Sequence, residues 1–363
     1  MPLDDSRILA PVTQRPVSVA RIANAWYVAC FSRELKRRPI SRMILGQPVV
    51  LFRGANGKAS ALLDRCPHRN VPLSLGAVVG EHVQCAYHGW EFDGEGVCRK
   101  VPGLCGPHES KGRRVDAFPV QEQDGCIWIW GDAESTPAVA PFSFPLVGAS
   151  GYTTVTRKVS AQGSLHAVIE NALDVPHTAF LHKGLFRGAG EPNAIEVIVR
   201  RESDRVEAEY VGEPRVGGVI GKILSPSGGV MTHYDRFVLP SIAQVEYRIG
   251  TENHIFVCAA CTPTNDFETD LYAVISFKLR VPHWLVKPFL TPLALRVFKQ
   301  DARMLTRQTE TIQHFGGEQY MSTEIDVLGG HILRLLRGAE RADSDADNAV
   351  GVASKEERLV LKV

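Results

Sequence analysis

Cys66-Pro67-His68 and, after sixteen intervening residues, Cys85-Ala86-Tyr87-His88 place two thiols and two imidazoles in two short segments of similar build. Two thiolates on one iron and two imidazoles on the other is the ligand set of a mixed-ligand [2Fe–2S] centre. A Cys2His2 zinc site uses the same side chains, but zinc-finger spacing groups Cys with Cys and His with His. Here each segment supplies one of each, which suits a two-iron rhomb held from opposite corners. Pro67 stiffens the first segment, and Gly89 and Trp90 follow the last ligand. Glycine at that place lets backbone amides come close to bridging sulfides. The chemistry is one-electron transfer, at roughly −150 to +300 mV because imidazoles replace two thiolates.

A second group of chemistry-bearing residues lies in Asn171-Ala-Leu-Asp174-Val-Pro176-His177-Thr-Ala-Phe-Leu-His182. Asn171, Asp174 and His177 recur every three residues and line one helical face. His182 is five beyond His177, which points elsewhere on a regular helix, but Pro176 interrupts the helix and permits a turn that brings both imidazoles to one point. Two satisfied core histidines are the competing reading. Asp301 supplies an anion: its neighbours three and four away are Val297, Phe298, Met304 and Leu305, and the stripe continues through Leu293 and Ala294. A carboxylate on an apolar face is paired, protonated or metal-bound, and an arginine partner is the alternative to a metal. With two histidines available, metal ligation is the better explanation. Two His and one carboxylate form the facial triad of mononuclear Fe(II), with open positions for dioxygen.

Two kinds of element must hold these groups. From 24 to 135 the sequence consists of short apolar runs, such as Pro48–Phe52 and Cys126–Gly131, broken by Gly, Asn and Pro. That pattern predicts an antiparallel β domain with the two ligand segments at hairpin tips. Pro137, Pro141 and Pro145 mark a boundary. Residues 150–336 read as an α+β domain: a strand, a helical segment over Ser164–Phe180, strands between 194 and 280, and a long helix over Leu290–Phe315. Residues 337–363 turn charged and small and read as a polar, mobile tail.

A chain of 363 residues has length for two domains, and its 44% hydrophobic and 22% charged content is ordinary for a globular protein. A net charge of +1 argues against nucleic-acid binding. Local basic spots at Lys36, Arg37 and Arg38, and at Lys111, Arg113 and Arg114, read first as solvated surface, with an acidic redox partner as the second reading of each. There is no charged-then-apolar leader, and the most apolar stretch, Val281–Phe298, carries Lys287, Arg296 and three prolines, so a cytoplasmic location is expected. Eight cysteines give no disulfide framework. Cys258 and Cys261 sit in a strand-like run, where positions three apart face opposite ways, so they read as structural thiols, as do Cys30, Cys98, Cys105 and Cys126. No GxGxxG opens a βαβ unit, so reducing power must come from a partner.

Taken together, the two motifs resemble the terminal oxygenase (alpha) component of the Rieske non-haem iron oxygenases, over about residues 20 to 330. The resemblance implies a Rieske [2Fe–2S] cluster on Cys66, His68, Cys85 and His88, and a mononuclear iron on His177, His182 and Asp301 in a helix-grip (START-like) catalytic domain. It assigns Asp174, with Asn171, to the catalytic site and implies that Asp174 bridges to the cluster of a neighbouring subunit in a homotrimer. The two residues between Asn171 and Asp174, and the opening Asn24-Ala-Trp-Tyr-Val-Ala29, resemble the single-subunit branch of vanillate- and dicamba-type O-demethylases and related hydroxylases. Monooxygenation is implied: O2 and electrons from a reductase, directly or through a ferredoxin, hydroxylate a mostly hydrophobic small molecule or remove its O- or N-methyl group. Ring cis-dihydroxylation and steroid-type hydroxylation or desaturation are alternatives within the family. A Rieske electron carrier with a hydrophobic-ligand-binding domain is the alternative outside catalysis. The substrate pocket is expected along residues 210–260 and 281–298.

Overall fold

The apolar runs of the first third become short strands, and the longer alternating runs of the remainder become one large sheet. The computed structural model describes residues 17–108, 112–182, 194–212, 231–250, 253–279, 283–344 and 354–362. Its chain divides into two compact units, one gathering Arg21–Ser143 with Thr262–Asn265 and the other Phe144–Cys261 with Asp266–Val363.

In the first unit, β1 (Trp26–Phe31), β2 (Ile40–Ile44), β3 (Gln47–Arg53), β4 (Ala59–Leu63), β5 (Ala77–Val79), β6 (His82–Gln84), β7 (Glu91–Phe92), β8 (Cys98–Lys100), β9 (Ala117–Phe118), β10 (Val120–Gln123) and β11 (Cys126–Trp130) form small antiparallel sheets. Their orders are β1-β11-β10, β2-β3-β4-β9 and β5-β6-β7-β8. Val50, Phe52, Leu62, Leu73, Val83 and Phe92 make a core in which Cys66 and Cys85 are themselves members. Only the second ligand segment is a hairpin tip, between β6 and β7. The first leaves β4, which pairs with β3 and β9, and leads through a 3-10 turn at Leu73–Leu75 to β5 of another sheet. The expectation of two hairpins is corrected accordingly: β4 and β5 share no ladder.

In the second unit β12 (Thr153–Ala161), β13 (Ala194–Arg201), β14 (Arg205–Val211), β15 (Met231–Val238), β16 (Ile242–Ile249), β17 (Asn253–Asn265), β18 (Glu268–Lys278) and β19 (Lys355–Lys362) form, among the described residues, a sheet of eight strands in the order β12-β18-β17-β16-β15-β14-β13-β19. Strict alternation of buried and half-buried residues along β15 is that of a strand with one face on a core. The helices are α1 (Leu165–Leu173), α2 (Thr178–Leu181), α3 (His283–His314) and α4 (Gly329–Ser344). α1 buries Leu165, Val168, Ile169 and Leu173 and packs on β15, β16 and β18, touching α3 and α4 as well.

Several boundaries differ from expectation. The long helix starts at His283, seven residues earlier than Leu290. The helical segment expected over Ser164–Phe180 is two helices, because the residue before Pro176 is driven out of helical geometry and α1 stops with Asp174 at φ −89° and ψ 108°. The mobile tail expected over 337–363 is corrected most: α4 runs to Ser344 and Lys355–Lys362 is β19, paired along β13 from Ala194↔Lys362 to Arg201↔Lys355. Its charges are cross-strand partners, Arg358 with Glu196 at 3.2 Å and Glu356 with Arg200 at 3.3 Å, while Leu361 is buried. All eight cysteines are free. Cys258 and Cys261 lie buried in β17, and burial pushes the Cys261 thiol up to about 12. Among the described residues no helix is long and apolar enough to cross a membrane.

Candidate metal centres

The two ligand segments of the first unit share one backbone design. Cys66 N–H donates to Val71 C=O at 2.9 Å and Asn70 N–H to Cys66 C=O at 2.8 Å; Cys85 N–H donates to Trp90 C=O at 2.8 Å and Gly89 N–H to Cys85 C=O at 3.0 Å. In both, the fourth residue after Cys is left-handed, Asn70 at φ 61° and Gly89 at φ 69°. Such a turn costs Gly nothing and Asn little. The loops face one another, pairing like with like. Burial pushes the Cys66 thiol up to about 11, against hydrogen bonds from the backbone amides of His68 and Arg69, and Cys85 lies within hydrogen-bonding reach of it. The His68 and His88 rings stand 4.5 Å apart, His68 stacks on Trp90 at 4.8 Å, and Tyr87 lies 3.9 Å from His88. His68 Nδ1 is buried without a hydrogen-bond partner. A thiol couple beside an imidazole couple, with an orphaned ring nitrogen between them and amides already aimed at sulfur, fits a two-iron cluster with thiolates on one iron and imidazoles on the other.

In the second unit, Ser164 caps α1, its hydroxyl accepting from Ala167 N–H at 3.2 Å, and the Pro176 break starts α2 at His177. One helical turn later His182 closes α2. The two rings, five residues apart in sequence, meet at 5.1 Å and 74°. α3 brings Asp301 to them. His177 Nε2 lies 3.3 Å from His182 Nε2, and Asp301 Oδ1 lies 3.5 Å from the first and 3.0 Å from the second. Among the described residues this is the group of three donor atoms that converges within 4.8 Å. Ligand atoms about 2.1 Å from one ion and at right angles to each other lie about 3.0 Å apart, so the triangle fits one face of an octahedron.

An outer partner fixes the tautomer of His182. His182 Nδ1 meets Gln300 Oε1 at 3.1 Å, and His177 Nδ1 faces Asp174 Oδ2 at 3.4 Å. With its Nδ1–H turned to Gln300, His182 has its Nε2 lone pair left for Asp301, while His177 Nδ1 faces Asp174 without a formed hydrogen bond. Asp301 Oδ1 is buried and finds no hydrogen-bond donor. Oδ1 and the two Nε2 atoms converge on one place, where a cation, either a proton on His177 or a metal ion, offsets their charge. The pKa of His177 reports the same field: burial pulls it down, but the Asp174 and Asp301 carboxylates carry it up to about 9.

The expected residues therefore fall into place unequally. His177, His182 and Asp301 are together, with Asp174 behind His177. Asn171 is on α1 away from that triangle, lining with Asp174, Tyr210, Met304 and Tyr320 a cavity of about 870 Å³. Of the pocket expected over 210–260 and 281–298, Tyr210 is the lining residue of this cavity among the described residues; residues 213–230, 251–252 and 280–282, and the side chains of 283–291, 293 and 294, lie outside them. The apolar stripe around Asp301 is less buried than expected, with Leu305 inside and Met304 at the surface. Lys36, Arg37 and Arg38 are exposed; Lys111 lies outside the described residues. Gln300 went unrecognised in the sequence. An amide beside a candidate ligand is a faint signal, since neighbours on a helix diverge and only the position of α2 decides which of them meets His182.

Residues 25–118 match the Rieske [2Fe-2S] domain, and residues 162–342 match the vanillate O-demethylase oxygenase C-terminal domain. The oxygenase component of dicamba O-demethylase from Stenotrophomonas maltophilia is 32% identical over 304 residues, covering 81% of this chain and 76% of that protein. Chloroplastic chlorophyllide a oxygenase from Arabidopsis thaliana is 31% identical over 347 residues, 89% of this chain and 58% of its own length. The crystal structure of dicamba monooxygenase bound to 3,6-dichlorosalicylic acid superposes with a TM-score of 0.77 at 24% identity, covering 90% of this chain and 99% of that one, so the two share a fold.

Proposed function

Because this chain belongs to the Rieske oxygenases, the family of the dicamba O-demethylase oxygenase component, we propose that it is the terminal component of a multicomponent monooxygenase that hydroxylates or oxidatively demethylates a mostly hydrophobic small molecule. Its cofactors are a Rieske [2Fe–2S] cluster and a mononuclear iron. The observation that carries the reading is the triangle of His177, His182 and Asp301 in a chain whose other unit pairs Cys66 with Cys85 and His68 with His88. When bound, the cluster supplies single electrons and the mononuclear iron supplies a place for dioxygen to be activated beside the substrate.

The residues have distinct parts to play. His177, His182 and Asp301 hold the mononuclear iron on one side, leaving the opposite side open. Gln300 faces His182 and Asp174 faces His177, which orients the two imidazoles. Burial of His182 and Leu305 keeps water from reaching the ligands from the protein side. The overall change balances as substrate C–H, dioxygen, two electrons and two protons giving C–OH and water. Where the carbon is an O- or N-methyl, the hydroxymethyl product sheds formaldehyde.

A reductase, directly or through a ferredoxin, supplies the electrons, and Asp174 links the iron site of one subunit to the cluster of the next in a homotrimer. The half-exposed Asp174 carboxylate, 32% accessible while in contact with His177, supports that assignment, because it is open to a second partner on its outer side. Asn171 lines the same cavity and acts on the substrate side of Asp174. The test is iron content and oxygen uptake. Protein loaded anaerobically should hold three irons per chain and, with a surrogate reductase, consume oxygen only when a turned-over compound is added. Two irons per chain with a fully reducible cluster would instead make it an electron carrier.

A further inference from the structure

A column of stacked groups leads from the surface of the first unit to His68, and nothing in the oxygenase reaction as derived above uses it. Trp90 lies nearly parallel to His68, with ring centroids 4.8 Å apart and an interplanar angle of 6°. The Arg113 guanidinium stands 5.9 Å from the centroid of the Trp90 ring. Arg113 is held there by its own bonds, Nη1 donating to the Pro107 carbonyl at 3.2 Å and the His108 carbonyl at 3.0 Å. His108 Nδ1 in turn accepts from Val101 N–H at 3.2 Å, and Pro102 covers Gly89, where an added Cβ would sit 3.0 Å from Pro102 Cγ. The segment that carries Arg113 is thus fitted to the cluster loop, and the guanidinium is placed by that fit.

Charge around the column is unbalanced. Two cations near it in this unit are neutralised, Arg99 by Asp93 at 2.6 Å and Lys100 by Glu91 at 3.2 Å. Arg113 is bonded to carbonyls only, and Arg69 is exposed immediately after His68, so among the described residues neither meets a carboxylate. The chain as a whole carries only +1, so a local cationic face rather than bulk charge would select a partner. His88, by contrast, carries the exposed Tyr87 ring against it. The two imidazoles of the couple therefore present chemically different surroundings.

We propose that Arg69 and Arg113 form the docking face for an acidic [2Fe–2S] electron carrier, and that Trp90 is the route by which its electron reaches the iron held by His68. The proposal rests on the oxygenase reading and adds an entry point to it: electrons enter through His68. In the step itself the carrier's reduced cluster loses one electron, this chain's oxidised cluster gains it, and no bond is made or broken. Aromatic rings in contact shorten the gap an electron must cross, and the guanidinium over the indole favours approach of an anionic surface to that ring.

An acidic plant-type ferredoxin serves as the probe, with the wild-type holoprotein and its R69Q/R113Q, W90F and W90L variants. Calorimetric titration of oxidised partners gives the affinity. The double variant should bind about tenfold more weakly at low ionic strength and lose most of its salt dependence, since steering by local charge is worth factors of 10 and more. W90L should bind as tightly as wild type but accept the electron at least several-fold more slowly within the preformed complex, with W90F intermediate and the midpoint potential of the cluster unmoved. Unchanged affinity and salt dependence in R69Q/R113Q would overturn the docking face. A W90F rate equal to wild type, or a slowing fully accounted for by a shifted midpoint potential, would overturn the route; W90F covers the case in which W90L assembles no cluster. Dithionite-reduced R69Q/R113Q should still complete a single turnover. Wild-type protein that shows no Rieske signal on dithionite reduction would overturn the oxygenase reading instead, so the two failures are distinguishable.

Discussion

At the scale of single residues the triangle of His177, His182 and Asp301 gathers three donor atoms that a metal ion would hold together. Asp301 Oδ1 has no donor, yet it lies 3.0 Å from His182 Nε2. Removing any corner leaves two ligands, and D301A, H177A and H182A should each lower the iron content from three to two per chain and abolish product, with the cluster's reduced-state paramagnetic resonance retained. A D301A protein with full turnover would show the carboxylate to be structural. Gln300 acts through His182, so Q300L should keep the triangle but bind iron about 10–100-fold more weakly, a loss measurable by chelator competition. The cysteines give a separate check. Burial pushes the thiols of Cys30 and Cys126 up to about 12, and both are inaccessible, whereas Cys105 is exposed. Alkylation of the native protein near pH 8 should mark Cys105 and leave Cys30, Cys126 and Cys261 untouched, with Cys66 and Cys85 labelled only after the cluster is stripped. Labelling of Cys30 in native protein would contradict the packing of β1 on β11. At this scale the residues that converge were legible because residue type and spacing are properties of the chain. Gln300 and the Arg113–Trp90–His68 column were not, because they depend on where one element lies against another.

At the scale of elements, the break between α1 and α2 does the positioning. Ser164 closes the start of α1 and Val175-Pro176 ends it, so the helix is fixed at both ends around a buried face. S164A should cost about 1 kcal/mol, a fall in Tm of about 2–4 °C for a unit of this size, without moving the metal sites. P176A removes the restriction on Val175 and should let α1 run on, rotating His177 away from Asp301; iron content and not Tm is then the quantity that drops. The break was legible because proline's effect on its predecessor is local. The opposite holds for the C-terminal segment. Lys355-Glu-Glu-Arg-Leu-Val-Leu-Lys362 is as charged as a disordered tail, and only the ladder to β13 turns Glu356 and Arg358 into partners of Arg200 and Glu196. Ending the chain at residue 353 should expose the β13 edge and lower Tm by more than S164A does, with increased self-association by light scattering. A truncated protein of unchanged Tm would return the segment to the status of a tail.

At the scale of the whole molecule, what matters is the traffic of electrons between two kinds of iron, and Asp174 is the residue through which the proposed trimer would carry it. Its carboxylate lies 3.4 Å from His177 Nδ1 and remains 32% accessible, so one oxygen can serve the iron side while the other is free for an imidazole of the next subunit. Replacing it with Asn keeps shape and a hydrogen-bond acceptor but removes the charge that makes such a bond strong. D174N should therefore keep three irons and the trimer while its cluster, reduced beforehand, is oxidised by substrate and dioxygen far more slowly than in wild type. The entry side should be untouched, so reduction by the carrier proceeds at the wild-type rate, in contrast to W90L, which is expected to fail at entry and succeed at exit. Single-turnover mixing resolves the two steps, because cluster absorption reports each separately. Wild-type cluster oxidation in D174N would remove Asp174 from the path, and a monomer by analytical ultracentrifugation at working concentration would remove the inter-subunit path altogether, leaving electrons to pass between the two centres of a single chain.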